Sequence, residues 1–256
     1  MDAAGPEADW AVELREAGGE LLERAVDRHL AEMGAREARL LLRNPYLTPE
    51  LVAKVAAATT LTSFYEVRRD LVLHPLSPRI AVLGWIGGLF WPDLVRAGRD
   101  PRLHPTVRRA ADQRLIERLP GLALGEKTGL ARGASAGVIS HLRHDPSPRV
   151  VAALLDNPHL TEGLLAPLLA NDTAAPRALA VVAASARWTC RYPVRLALVR
   201  NPRTPLPAAM SLLPLLKKRD LLSLTVDARL DGALRQRARL LSGGADERPR
   251  RTPSGG

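Results

Sequence analysis

Apolar residues along this chain recur at helical rather than alternating spacing. Short Leu/Ala-rich segments such as LVAKVAAA, RIAVLGWIGGL and AAMSLLPLL are separated by polar turns that contain proline. Four of these turns share a pattern: Asn44-Pro45 with Thr48-Pro49, His74-Pro75 with Ser77-Pro78, Asp145-Pro146 with Ser147-Pro148, and Asn201-Pro202 with Thr204-Pro205. The residue before a proline is pushed out of the α region, while Ser or Thr followed by Pro supplies a capping oxygen and a pre-set φ. Each turn therefore stops one helix and starts another. Runs of β-branched residues and Asn-Gly hairpin turns do not occur, so no sheet is expected. Helices this short cannot bury a face alone and must stack on their neighbours, which predicts an all-α, right-handed α-solenoid.

Sliding the chain against itself reveals an internal repeat. At a shift of 127 positions Val67 to Ala111 aligns with Val194 to Ala238 without a gap, with about 15 of 45 positions identical. Upstream, LLRNPYLTPELV (Leu41 to Val52) matches LLDNPHLTEGLL (Leu154 to Leu165) at a shift of 113, so the second copy is expected to carry about 14 extra residues. The chain thus reads as a tandem duplication of two lobes, 37–120 and 151–241. Between them, glycines at 121, 125, 129, 133 and 137 fall four apart; in a helix the later ones would share a face, and 121–150 reads as a connecting helical segment. Residues 1–36 hold nine acids and four arginines, with Trp10, Leu14, Leu21, Leu22, Val26 and Leu30 near one helical face, as in an acidic capping helix. Residues 242–256 are almost free of apolar side chains and read as a disordered tail.

DPRLHPTVRRAADQRL (Asp100 to Leu115), DPSPRVVAALL (Asp145 to Leu155) and DARLDGALRQRARLL (Asp227 to Leu241) resemble HEAT-type repeats, in which an Asp in the inter-helix turn precedes an Arg in the second helix. The Asn-Pro units, as in LVRNPRTPLPAAM, resemble the bacterial leucine-rich-repeat variant. Both resemblances imply a helical solenoid over about residues 40 to 241 and a binding role, without a specific activity. The cysteine cluster of some variant repeats is missing, so an iron–sulfur role does not carry over.

Charge adds a direction. The chain carries 37 Lys plus Arg against 27 Asp plus Glu, a net +10. Outside the acidic first 36 residues the balance is about +15, which suits an anionic partner; the near-absence of lysine among the bases also fits an Arg-rich coding bias. The single cysteine, Cys190, excludes a disulfide framework within the chain and fits a reducing compartment, and beside Trp188 it reads as a packed thiol. The acidic start lacks a signal-peptide pattern and Ile80 to Trp91 is too short to span a bilayer, so a cytoplasmic protein without membrane contact is expected.

Candidate chemistry is sparse. In GLALGEKTG, Lys127-Thr128 imitate a phosphate-binding loop, but the second glycine is displaced and no buried strand precedes it. His141, His144 and Asp145 form a weak metal pattern, and a histidine at a helix C-terminus is favoured by the dipole alone. No catalytic residue, metal or cofactor is assigned. The densest mixture of aromatic and basic residues is WTCRYPVRLALVRNPR with the following Lys-Lys-Arg, so Trp188, Arg191, Arg200, Arg203, Lys217, Lys218 and Arg219 are the candidate partner-binding set; the favoured reading for most of the segment is structural, with Trp188, Val194, Leu196 and Leu198 in the core and arginine stems over apolar surface. Matched pairs in the two copies, Arg68 and Arg195, Asp93 and Asp220, Asp100 and Asp227, Arg108 and Arg235, read as structural. Arg68 and Arg195 are expected to satisfy carbonyls at a helix end or to pair with Asp93 and Asp220. The expected function is a non-catalytic protein-interaction scaffold. The alternative is a nucleic-acid-binding solenoid, similar to the HEAT-like DNA glycosylases, for which one continuous basic stripe would be the mark.

Overall fold

The computed structural model describes residues 7–243. All regular structure in this span is helical, and no strand occurs among the described residues. The chain divides into two compact units, Met1–Leu122 and Ala123–Gly256.

The first unit contains α1 (Glu7–Glu16), α2 (Gly19–His29), α3 (Ala35–Leu41), α4 (Pro49–Ala57), α5 (Thr59–Thr62), α6 (Tyr65–Val72), α7 (Arg79–Trp85), α8 (Trp91–Arg99) and α9 (Pro105–Arg118). Here α3 packs against α1 and α6, and α9 against α7 and α8. The second unit contains α10 (Leu124–Gly133), α11 (Ala136–Leu142), α12 (Pro148–Leu155), α13 (Glu162–Leu169), α14 (Pro176–Ala184), α15 (Ala186–Thr189), α16 (Tyr192–Arg200), α17 (Leu206–Leu212), α18 (Lys218–Thr225) and α19 (Gly232–Gly243). In it α12 packs against α10 and α14, α17 against α14 and α19, and α13 against α11 and α16, so helices two or three apart in sequence lie side by side.

The proline turns act as their chemistry requires. Pro49, Pro105, Pro148 and Pro176 each occupy the first helical position. Thr48, Ser135 and Thr161 accept N–H hydrogen bonds from Leu51, Val138 and Leu164 at 3.4, 3.4 and 3.3 Å. The residue that opens each turn has a second duty. Asn44, Asp100, Asp145, Asn157, Asn171, Asn201 and Asp227 each accept the N–H two residues on with the side chain, at 2.8 to 3.1 Å. Three of them are buried asparagines whose Nδ2 also donates to two carbonyls: Asn44 to Leu14 and Ala17, Asn157 to Ala131 and Ala134, Asn201 to Leu169 and Asn171. These are carbonyls at the C-terminal end of a preceding helix, the groups such an end leaves without partners.

Element boundaries recur at the shift of 127. Helices α4, α5 and α7 and the 3-10 turn Ile86–Gly88 reappear residue for residue as α14, α15, α17 and Leu213–Leu215; α3, α6, α8 and α9 begin 127 positions before α13, α16, α18 and α19. Buried positions follow, as in Leu61 and Trp188, Leu71 and Leu198, Leu94 and Leu221, Ala111 and Ala238. The expected 14-residue insertion is therefore absent. The match of 41–52 with 154–165 aligns one Asn-Pro turn with another of the same kind, and such turns recur more often than the larger register does.

Three further expectations are corrected. Residues 1–36 do not form one capping helix: α1 ends at Glu16, and α2 starts at Gly19, whose φ of 54 is open to glycine without strain. Leu14, Leu22 and Val26 are buried while Leu21 is 61% exposed. The five spaced glycines do not share one helix: Gly125, Gly129 and Gly133 keep a common side of α10, but Gly121 lies in the 3-10 turn Leu119–Gly121 and Gly137 in α11. Extended Ala134 and the Ser135 cap break the helix between them. Of the expected tail, Ser242 and Gly243 belong to α19, and 244–256 lie outside the described residues.

Candidate partner-binding surface

Asp93 and Asp220 sit at the third position of α8 and α18, both 8% exposed. The helix N-caps, Phe90 and Lys217, have no capping side chain of their own. A tyrosine from two helices earlier supplies the missing group. The Tyr65 hydroxyl accepts the Phe90 N–H at 3.1 Å and donates to Asp93 Oδ2 at 2.5 Å. Tyr192 accepts the Lys217 N–H at 3.1 Å and donates to Asp220 Oδ2. A capping box links the third residue directly to the N-cap; here a hydroxyl stands between them and ties α6 to α8 and α16 to α18. Burial and the neighbouring carboxylate push both phenols up, and the Tyr192 hydroxyl holds the Asp220 carboxyl below its ordinary range despite burial.

The expected pairing of Arg68 and Arg195 with these carboxylates is not formed. Tyr65 and Tyr192 occupy them, with Arg96 beside Asp93 at 3.1 Å and Arg200 beside Asp220 at 3.4 Å. Arg195 instead lies 5.6 Å from the Tyr192 ring centroid, and its buried Nε has no hydrogen-bond partner. Asp100 and Asp227 pair two residues ahead with Arg102 and Arg229, at 2.7 and 3.0 Å, rather than with Arg108 and Arg235, whose Nε atoms are also buried and unpaired. Those short-range pairs are the leading cause that lowers the Asp100 and Asp227 carboxyls.

What covers each tyrosine differs between the units. The Tyr65 ring lies 4.7 Å from that of Phe90, whereas Lys217 Nζ lies 4.9 Å from the Tyr192 ring. The same exchange extends outward. Phe64, Leu76 and Phe90 are 43%, 39% and 66% exposed, and the residues 127 positions on are Arg191, Arg203 and Lys217. At these positions one unit exposes aromatic and aliphatic side chains where the other carries bases.

Of the candidate set, Lys217, Arg200 and Arg219 gather about the Tyr192–Asp220 link, Arg219 at 3.7 Å from Asp220. Arg191 stacks 4.5 Å from the Trp188 ring centroid and pairs with Glu162 at 3.3 Å. Arg203 turns to the Ala174 carbonyl at 3.5 Å, and Lys218 is exposed at the start of α18. Trp188 is fully buried and donates to the Leu155 carbonyl at 3.0 Å, so it belongs to the core and offers nothing to a partner. Cys190 is exposed rather than packed. A groove of about 380 Å³ beside α16 is floored by Leu169, Leu196 and Ala197 and edged by Arg200 and Arg229, the latter paired with Asp172 at 3.2 Å.

The weaker motifs resolve into ordinary helix chemistry. Lys127 pairs with Asp145 at 3.5 Å and Thr128 donates to the Leu124 carbonyl, both on a regular helix. His144 accepts from Arg143, and burial lowers its pKa. Among the described residues no three His, Cys, Asp or Glu side chains are placed to hold a metal ion, and no helix is long and apolar enough to cross a membrane. No family model matches the chain, and neither do curated proteins or solved structures.

Two features escaped the sequence reading. Tyr65 and Tyr192 stand two residues upstream of the gapless match and were legible by extending it. Arg36, Arg39 and Arg43, at i, i+3 and i+7, line a groove of about 440 Å³ with Ala35, Leu40 and Glu66. Their helical spacing was visible, but they lie where the shift of 113 hid the register.

Proposed function

We propose that the chain is a non-catalytic protein-interaction scaffold, a right-handed α-solenoid of HEAT-like or leucine-rich-repeat-variant type that arose by tandem duplication. The observation that carries this reading is the exchange of surface on an unchanged framework. The Tyr–Asp link and the buried positions recur, while Phe64, Leu76 and Phe90 in one unit give way to Arg191, Arg203 and Lys217 in the other. Folding does not require either set, since each framework accommodates its own. Exposed aromatic and Arg side chains are the residues that anchor protein interfaces. Nucleic acid is the less favoured ligand, because exposed Glu162 and Asp172 pair with Arg191 and Arg229 and would repel phosphates.

Affinity capture from a native lysate, with and without nuclease, tests the proposal. The parent should retain a protein partner after nuclease treatment. Phe64→Glu with Phe90→Glu, or Arg191→Glu with Lys217→Glu, should release it while leaving the circular dichroism unchanged. A partner held only through nucleic acid, or indifferent to both pairs of substitutions, would overturn the reading.

A further inference from the structure

The groove between α3 and α6 in the first unit has no part in the exchange just described. We propose that it binds an acidic peptide segment, through Arg36, Arg39 and Arg43. The three guanidiniums share one side of α3 and its terminal turn, opposite buried Ala38, Leu41 and Leu42. Arg39 is fixed in place: its Nε donates to Asp70 Oδ2 at 2.8 Å, and Arg69 grips the other oxygen of Asp70 at 2.7 Å. Arg36 and Arg43 are exposed, and among the described residues neither forms an ion pair.

The second unit supplies an internal control. At the matching positions α13 and its turn carry Gly163, Ala166 and Ala170, and α13 packs on α16 as α3 packs on α6. The helix pair therefore forms without the arginines. Arg36 and Arg43 are thus not needed to form the helix pair, and their unpaired guanidiniums stand available to a ligand.

The lining chooses the ligand. Along the helix axis the three positions span about 10 Å at 1.5 Å per residue. Carboxylates two residues apart on an extended peptide repeat every ~7 Å, within reach of flexible guanidiniums that bind carboxylates two-pronged. Ala35 and Leu40 offer apolar contact to the methylene stems of the acidic side chains. A nucleic-acid backbone would bring its phosphates past Glu66 on the opposite wall, whereas a peptide can turn a neutral or basic residue toward it.

The test uses the full chain and a fluorescein-labelled ten-residue peptide of alternating Glu and Leu, with a ten-nucleotide oligo-dT of the same label as comparator. The peptide should bind, with affinity that falls as salt rises. Arg36→Gln with Arg43→Gln should weaken it about tenfold or more, equivalent to 1.4 kcal/mol, at an unchanged melting temperature. Arg15→Gln with Arg24→Gln, which removes the same charge from elsewhere in the unit, should leave it intact. The proposal fails if the peptide does not bind, if the Arg36/Arg43 variant binds as the parent does, or if both arginine pairs weaken binding equally. It fails also if oligo-dT binds as tightly and depends on the same two residues, which would assign the groove to nucleic acid.

Discussion

The buried asparagines show how one side chain can hold a turn and two helices together. Asn157 is fully buried, accepts from the His159 N–H and donates to two carbonyls, so truncation strands three backbone groups. Asn157→Ala should cost about 1–3 kcal/mol in chemical denaturation. Asn157→Asp should cost more at neutral pH, because a carboxylate can only accept and would face the Ala131 and Ala134 oxygens; its deficit should narrow in acid as the group protonates. Tyr192→Phe is expected to cost about 2 kcal/mol through the loss of a hydrogen bond to a carboxylate. Its pH dependence follows from Asp220, whose folded carboxyl lies below the ordinary range chiefly because of that hydroxyl. A depressed folded pKa contributes stability above the unfolded value of about 4, which is lost as pH falls through the folded one. The difference between parent and Tyr192→Phe should therefore be largest near neutrality and shrink below about pH 4. A difference that grows in acid would place the link elsewhere.

At the scale of elements, the helices and their starts were legible because each turn states its chemistry locally. Pro49, Pro148 and the Thr48 cap appear where the pattern puts them. What was not legible was non-local. Trp188 stood among arginines, where a binding place and a core place were both open to it, and α15 settles the choice by turning it toward the Leu155 carbonyl. Arg68 and Arg195 stand 127 positions apart and read as caps of helix-end carbonyls or partners of Asp93 and Asp220, but the tyrosine one helical turn earlier reaches those carboxylates first. Nor does sequence order reveal that a hydroxyl can stand between an N-cap N–H and a third-position carboxylate. The break between α1 and α2 is marked by Gly18-Gly19, which interrupts the apolar stripe running from Trp10 to Leu30. Gly19→Ala places a Cβ at φ 54 and should destabilise by about 1 kcal/mol, although the site has open space around it. Gly84→Ala, equally open but helical, should instead be neutral or stabilising. Equal melting temperatures for the two variants would show that backbone conformation is not what Gly19 supplies.

At the scale of the whole chain, matched frameworks with unmatched surfaces permit an experiment within one molecule. If fold and surface are separable, residues proven compatible in one unit should be accepted by the other. Phe64→Arg, Leu76→Arg and Phe90→Lys transfer the second unit's bases onto the first. Lys217 already shows how the last of these is accommodated, with its ammonium over a tyrosine ring and its N–H on the tyrosine hydroxyl. A lysine at 90 can cover Tyr65 in the same way and retain the link to Asp93. All three native side chains are substantially exposed, so little buried apolar area is lost, and surface changes of this kind typically stay within about 0.5 kcal/mol each. The triple variant should therefore fold with circular dichroism like the parent's and melt within a few degrees of it. Its binding should change more than its stability. Partners held by the aromatic side chains should be lost, and capture by the variant should become strongly salt-dependent as bases replace apolar contacts. Exchange of a buried pair, Leu61→Trp to match Trp188, has no such licence, because a larger ring must fit a core packed around leucine. Loss of folding in the surface variant, with retention in the core variant, would reverse the assignment of which positions carry structure and which carry recognition.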